Sequence, residues 1–220
     1  MRNEFEGNPW NDLAKTRNCL YTAGASRPGF HGDIQLVGIV ESLLKDAEAF
    51  IETGTYHGCT AYYVAANCGV QVFTCDPSDE AYRISAGNLE VFGSKVKQYK
   101  ADSPTMLSNI VEDHPELLEK FCVFWLDGHG DGRNQGPLIE ELQFIFANFK
   151  DCCVIIDDTV VEGSKSFVFG DQFDFSWFAG SIPSDRYIYV PVDYEKSGYA
   201  HVGYTIVANR EIISEFLRLT

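Results

Sequence analysis

The chain has 220 residues, 45% hydrophobic and 22% charged, which is ordinary globular usage and excludes a disordered or fibrous protein. A formal net charge of -15 without any Lys/Arg cluster argues against a nucleic acid or an anionic membrane as partner. There is no apolar leader-like run after Met1 and no stretch near the roughly 18 apolar residues a span requires, so a soluble cytoplasmic protein is expected.

Residues 1–32 mix Gly, Pro, Asn and aromatics without a sustained period and read as an irregular arm. From Asp33, the apolar residues Leu36, Val37, Val40, Leu43 and Leu44 fall on one face of a helix. Short apolar runs then alternate with helical stretches. Ala49–Ile51, Val70–Cys75, Val96–Tyr99, Phe121–Leu126 and Cys152–Ile156 read as strands, with helices near 58–67, 79–92, 104–119 and 135–148. This rhythm predicts an α/β fold with a parallel, doubly wound sheet and right-handed crossovers, in one domain over residues 1–220.

After Val160 the rhythm changes. Residues 161–186 are rich in Gly, Ser and aromatics and read as an inserted loop with one helix at most. Tyr187–Val190 and Tyr199–Ala208, joined by the turn-rich Asp193–Gly198, suit an antiparallel pair. The seven cysteines form no C-x-x-C pair and several sit in apolar runs, so reduced core thiols are expected.

Three groups of residues carry chemistry. Glu52-Thr53-Gly54-Thr55-Tyr56-His57-Gly58 ends a strand and opens a helix; its glycines either let backbone approach a ligand at the carboxyl edge or only make a tight turn. Glu52 would repel the pyrophosphate of a dinucleotide but would favour S-adenosylmethionine, which carries a sulfonium and an ammonium and no phosphate. Asp76, 24 residues beyond Glu52 at the next strand end, can accept from both hydroxyls of a ribose, or else begin a helix-start turn. Asp127 and Asp157-Asp158 follow two further strands. If those strands are neighbours, about 5 Å apart, the carboxylates converge and a hard cation such as Mg²⁺ would neutralise them; the alternative is that each caps a helix.

Taken in order, Glu52 to Ala61, Asp76, Ala101-Asp102-Ser103, Leu126-Asp127 and Ile156-Asp157-Asp158 resemble the class I methyltransferases. Within them the series is most similar to the catechol O-methyltransferase-like, cation-dependent group, and Asp157-Asp158 to the metal-dependent sugar O-methyltransferases. The match covers roughly residues 35–160. The resemblance implies a Rossmann-like seven-stranded sheet, mostly parallel with one antiparallel strand and helices on both faces. It implies S-adenosylmethionine bound by Glu52, Gly54, Thr55, Tyr56, Gly58, Asp76, Asp102, Ser103 and Asp127, and a divalent cation, Mg²⁺, held by Asp127, Asp157 and Asp158. That cation would orient an acceptor hydroxyl and lower its pKa.

The chain departs from the catechol-type pattern after Asp127. A lysine base is expected there, but the run is Gly128-His129-Gly130-Asp131-Gly132-Arg133, and His129 is the best substitute as base, unless it neighbours the metal or is structural. The aromatics of 167–178 and of the arm (Trp10, Tyr21, Phe30, His31) are candidate walls of an acceptor pocket, or core. The expected function is cation-dependent O-methyl transfer to a small hydroxylated molecule. The alternatives are a non-catalytic S-adenosylmethionine-binding module and a nicotinamide-dependent oxidoreductase, the latter disfavoured by Glu52 and the absence of Gly-x-Gly-x-x-Gly. A homo-oligomer is left open.

Overall fold

Apolar residues alternate in side along each strand, so the sheet is covered twice. In a computed structural model describing residues 29–128, 136–159, 174–192 and 203–220, the strands are β1 (Ala49–Thr53), β2 (Gln71–Cys75), β3 (Val96–Tyr99), β4 (Phe121–Leu126), β5 (Asp151–Ile156), β6 (Tyr187–Pro191), β7 (Thr205–Ala208) and β8 (Leu217–Leu219). They form one sheet in the order β3-β2-β1-β4-β5-β7-β6-β8. Pairings among β1 to β5 are parallel, as expected of strands separated by helical crossovers.

Val123, Trp125, Cys153 and Ile155 face one apolar layer, whereas Cys122, Phe124, Leu126, Cys152, Val154 and Ile156 face the other. The first layer is closed by α1 (Ile34–Leu44) and α2 (Cys59–Asn67), and the second by α4 (Ser103–Asp113) and α5 (Leu138–Asn148). Between them in sequence lies α3 (Asp79–Leu89), whose Leu89 joins the first layer. Helix starts follow local chemistry. Asp33, Ser78 and Asp102 accept backbone N–H groups as N-caps of α1, α3 and α4.

Three expectations need correction. The sheet has eight strands rather than seven, and two of them, β7 and β8, run against the rest. The extra strand is the three-residue Leu217–Leu219 ladder on β6, too short to leave a period in the sequence. The helix foreseen over 104–119 is two pieces, because Pro115 cannot continue α4 and a 3₁₀ turn, Pro115–Glu119, takes over. Likewise the stretch to residue 92 ends as helix at Leu89 and continues as a 3₁₀ segment.

Of the arm, Gly29–Gly32 form a tight turn with Phe30 and His31 in left-handed backbone (φ 49° and 51°), and Phe30 is core rather than pocket wall, 1% exposed against Phe50, Tyr63 and Trp125. In the loop after β5, Phe175–Phe178 form the short helix α6, with Phe178 fully buried and Trp177 packed on the second layer. Trp10, Tyr21, Phe167, Phe169 and Phe173 lie outside the described residues, as does the 199–202 part of the last predicted strand. The six described cysteines are free thiols, five of them buried. No helix of the described residues is long and apolar enough to cross a membrane.

Candidate active site

The order of the parallel strands reverses direction between β1 and β4, and in open α/β sheets the crevice beyond such a switch point is where ligands bind. Thr53 pairs with Cys75 on one side and Leu126 on the other, and Leu126 pairs with Ile156. This register brings Asp76, Glu52, Asp127 and Asp157 to the carboxyl ends of four adjacent strands. Backbone bonds continue the ladder past the strands, from Asp127 N–H to the Thr53 carbonyl (3.1 Å) and from Asp157 N–H to the Leu126 carbonyl (3.0 Å).

At the switch point the loop after β1 touches the loop after β4. Gly54 has φ +84°, and a Cβ there would stand 2.3 Å from the Asp127 carbonyl oxygen. Gly58, at φ +81°, packs against Ser85 and Leu89 of α3. The glycines read as clearance for a ligand thus also give close contact of protein with protein. Tyr56 also has a positive φ, 47°; it is half-exposed and stacks on His57 at 3.8 Å.

Glu52 and Thr74 are register partners, so their side chains share a face. The Thr74 hydroxyl donates to Glu52 Oε2 at 2.5 Å, and Thr55 Oγ1 lies 2.5 Å from that hydroxyl. Burial drives the Glu52 pKa well up against this bond, and the charges of Asp127 and Asp76 push it the same way. Asp76, 9% exposed, accepts from Tyr56 N–H and Ser78 N–H, both at 2.9 Å. It therefore shapes both the β1 loop and the start of α3, and each oxygen keeps a further lone pair.

Asp102 caps α4: its Oδ1 accepts from Thr105 N–H at 3.0 Å, and hydrogen bonds from the Thr105 side chain and then its backbone hold its pKa down. Ser103 beside it is buried, and its hydroxyl has no hydrogen-bond partner among the described residues.

The strand-end carboxylates are joined by His31, read from the sequence as a candidate pocket wall or core and not as a neighbour of the aspartates. His31 Nε2 lies 2.5 Å from Asp157 Oδ2 and 3.7 Å from Asp127 Oδ2, and ligand atoms of the three residues all lie within 4.8 Å of one another. Burial alone would lower the His31 pKa, but the Asp157 charge and hydrogen bond, helped by Asp127 and Asp158, raise it to about 10. Asp158 turns at φ 56° and is not one of the three converging residues. The sequence signal for His31 was the Gly-Phe-His-Gly run immediately before the capped helix. His129, the expected base, lies outside the described residues, as do Asp131 and Arg133.

No protein-family model matches the sequence, and no curated protein is significantly similar to it. Solved structures are similar in fold. The O-methyltransferase TomG from Streptomyces achromogenes, involved in tomaymycin synthesis and solved with S-adenosylmethionine, is 16% identical over 78% of this chain and 77% of its own, with a TM-score of 0.58. An O-methyltransferase from Bacillus cereus, in complex with S-adenosylhomocysteine, is 16% identical over 90% and 89%, with a TM-score of 0.60. An rRNA methylase from Streptococcus thermophilus is 11% identical over 86% and 100%, with a TM-score of 0.50. The chain has the Rossmann-like fold of the class I S-adenosylmethionine-dependent methyltransferases.

Proposed function

We propose that the protein is an S-adenosylmethionine-dependent O-methyltransferase for a small hydroxylated molecule, assisted by a divalent cation. The observation that carries this reading is the pair Glu52 and Asp76 at adjacent strand ends beside the switch point, in a fold shared with S-adenosylmethionine-bound TomG. A buried carboxyl surrounded by acidic neighbours suits a ligand bearing a sulfonium and an ammonium. Asp76 would take the ribose hydroxyls, with Tyr56 at the rim and the Ser103 hydroxyl available toward the base. The net charge of -15 favours a small acceptor over RNA, although one fold neighbour is an rRNA methylase.

Asp127 and Asp157 are hard oxygen donors that converge, which fits a divalent cation. When bound, the cation would lower the pKa of an acceptor hydroxyl. The chain's residues would hold the donor so that its methyl faces that oxygen; the methyl passes from sulfur to oxygen, the proton leaves the hydroxyl, and S-adenosylhomocysteine remains. His129, in the loop after Asp127, is the proposed proton acceptor.

Calorimetric titration with S-adenosylmethionine, S-adenosylhomocysteine and NAD tests the ligand class: the first two should bind and NAD should not. S-adenosylhomocysteine production with a panel of small alcohols and phenols then separates an enzyme from a binding module. Chelation should suppress turnover and a divalent cation restore it. His129→Gln should slow turnover about 100- to 10,000-fold with little change in donor binding, as loss of a general base does.

A further inference from the structure

We propose that His31 is a nitrogen ligand of the cation at Asp127 and Asp157, so that the site prefers a first-row transition ion such as Co²⁺ or Zn²⁺ to Mg²⁺. This rests on the reading above that a cation sits at these strand ends, and it goes further in naming a ligand from the arm and the class of metal.

Nε2 of His31 faces two carboxylates, at 2.5 and 3.7 Å, and a cation bound between them would take the Nε2 lone pair and release its proton to solvent. A cation about 2.0–2.2 Å from each of three donors requires them to stand about 3–4 Å apart, and the separations of 2.5 and 3.7 Å, with all three atoms within 4.8 Å, bracket that range. Nε2 is the ring atom remote from the backbone and the one aimed at both aspartates. Asp157 is 3% exposed at its side chain, but His31 and Asp127 are 17% and 26% exposed, leaving an open side for water or an acceptor oxygen.

The arm is built to hold this ring in place. Phe30 is inserted in the core, and its N–H donates to Thr60 Oγ1 at 3.1 Å. Asp33 N–H donates to the Phe30 carbonyl at 2.9 Å, and the Asp33 side chain caps α1. His31 is thus anchored at both neighbouring sides in sequence, on a turn reaching across 126 positions to Asp157. Fixing a ligand in this way removes much of the ordering cost of coordination.

The chemistry follows from the donor set. Three carboxylates would suit Mg²⁺, but Asp158 is not among the converging groups and an imidazole takes the third place. Imidazole binds Co²⁺, Ni²⁺, Cu²⁺ and Zn²⁺ well, and affinity rises along the first row, whereas Mg²⁺ dehydrates reluctantly and prefers oxygen.

The test uses the full chain freed of metal by chelation, titrated with Co²⁺ followed by its visible absorption, and with Mg²⁺ in competition. Co²⁺ should bind about tenfold or more tighter than Mg²⁺, and His31→Ala should weaken Co²⁺ about tenfold or more while changing Mg²⁺ only slightly, with an altered Co²⁺ spectrum. His31→Gln, whose side-chain amide reaches about as far as Nε2 and can still hydrogen-bond to Asp157, keeps the turn supported and should show the same Co²⁺ loss; a circular dichroism melt checks that both variants fold. Folded variants with unchanged Co²⁺ affinity and spectrum would overturn the assignment, as would equal affinity of the wild type for Co²⁺ and Mg²⁺. S-adenosylhomocysteine affinity, measured on the same samples, is a separate readout: its absence counts against the methyltransferase reading and leaves the metal result standing on its own.

Discussion

Phe30 and Trp125 meet edge to face with ring centroids 5.2 Å apart, which ties the arm to the central strand directly beside the carboxylate cluster. The contact is apolar, yet it positions His31, the next residue in the chain. Phe30→Ala should cost about 3–5 kcal/mol of stability, the usual result of truncating a buried aromatic. It should also weaken Co²⁺ binding, because the ring of His31 loses its anchor. Chemical denaturation and metal titration of the same variant check both; a destabilised variant with unchanged Co²⁺ affinity would show that the arm and the cluster are independent.

Gly54→Ala should be strongly destabilising. A left-handed backbone costs a residue with a Cβ about 1–2 kcal/mol before any contact is counted. Here the Cβ would also fall 2.3 Å from a backbone oxygen, which cannot move aside as a flexible side chain could. For a chain of this size each kcal/mol lowers the melting temperature by about 2–4 °C, so a fall of at least several degrees is expected. A Gly87→Ala control, where no atom lies within 4 Å of the added Cβ, should melt at or above the wild-type temperature.

Glu52 gives a pH dependence whose sign is fixed by its raised pKa. The folded state holds a proton on this carboxyl that the unfolded chain releases near the ordinary value of 4.5. Its contribution to stability is therefore complete below that value and is lost as pH rises through the higher folded pKa. Glu52→Gln keeps an acceptor for Thr74 without the titration, so its melting temperature should gain on the wild type as pH increases from about 4.5. Binding a sulfonium and an ammonium reverses the balance. S-adenosylmethionine should expel the proton, seen as a buffer-dependent enthalpy in the wild type and not in the variant. Parallel melting curves from pH 4 to 8 would remove Glu52 as the source.

Asp76→Asn separates ligand recognition from loop support. Asparagine keeps one carbonyl acceptor for the two backbone donors, Tyr56 and Ser78, but loses the charge and the spare acceptor for a diol. S-adenosylhomocysteine affinity should fall about 10- to 100-fold, the cost of losing hydrogen bonds to a charged group. Ser78→Ala, which removes the α3 cap, should cost about 1 kcal/mol of stability and leave affinity nearly unchanged. Equal affinity losses in the two variants would mean that Asp76 acts only through the turn.

What the sequence revealed, and what it hid, divides by the range of the interaction. The central strands were legible because parallel strands buried on both faces read as continuous apolar runs, as in Phe121–Leu126, whereas the half-buried edge strand Val96–Tyr99 mixes Val and Tyr with Lys97 and Gln98. The convergence of Asp127 and Asp157 followed from placing each just after such a strand. Glu52 could be picked out by its charge, but its bond to Thr74 depends on the register of β1 on β2, which periodicity does not give. Gly54 was marked as a special backbone position, while the neighbour that demands it, the Asp127 carbonyl, became visible only with the loops in place. His31 was named only as a pocket wall or core, and its pairing with Asp157 was hidden for the same reason. Nothing local says that a turn before the first helix reaches the end of the fifth strand.

The strand order also sets a timetable. β1 is paired with β2 on one side, but its other edge waits for β4, whose last paired residue is Leu126. At synthesis rates of about 5–20 residues per second, the roughly 70 residues between those two strands take about 4–15 s to appear. During that interval a nascent chain carries an unpaired strand edge that the finished fold buries entirely, and Phe30 lacks its Trp125 partner. An emerging chain halted before β4 is therefore a natural client for a ribosome-associated chaperone, and one halted before β5 has no Asp157 for His31 to meet.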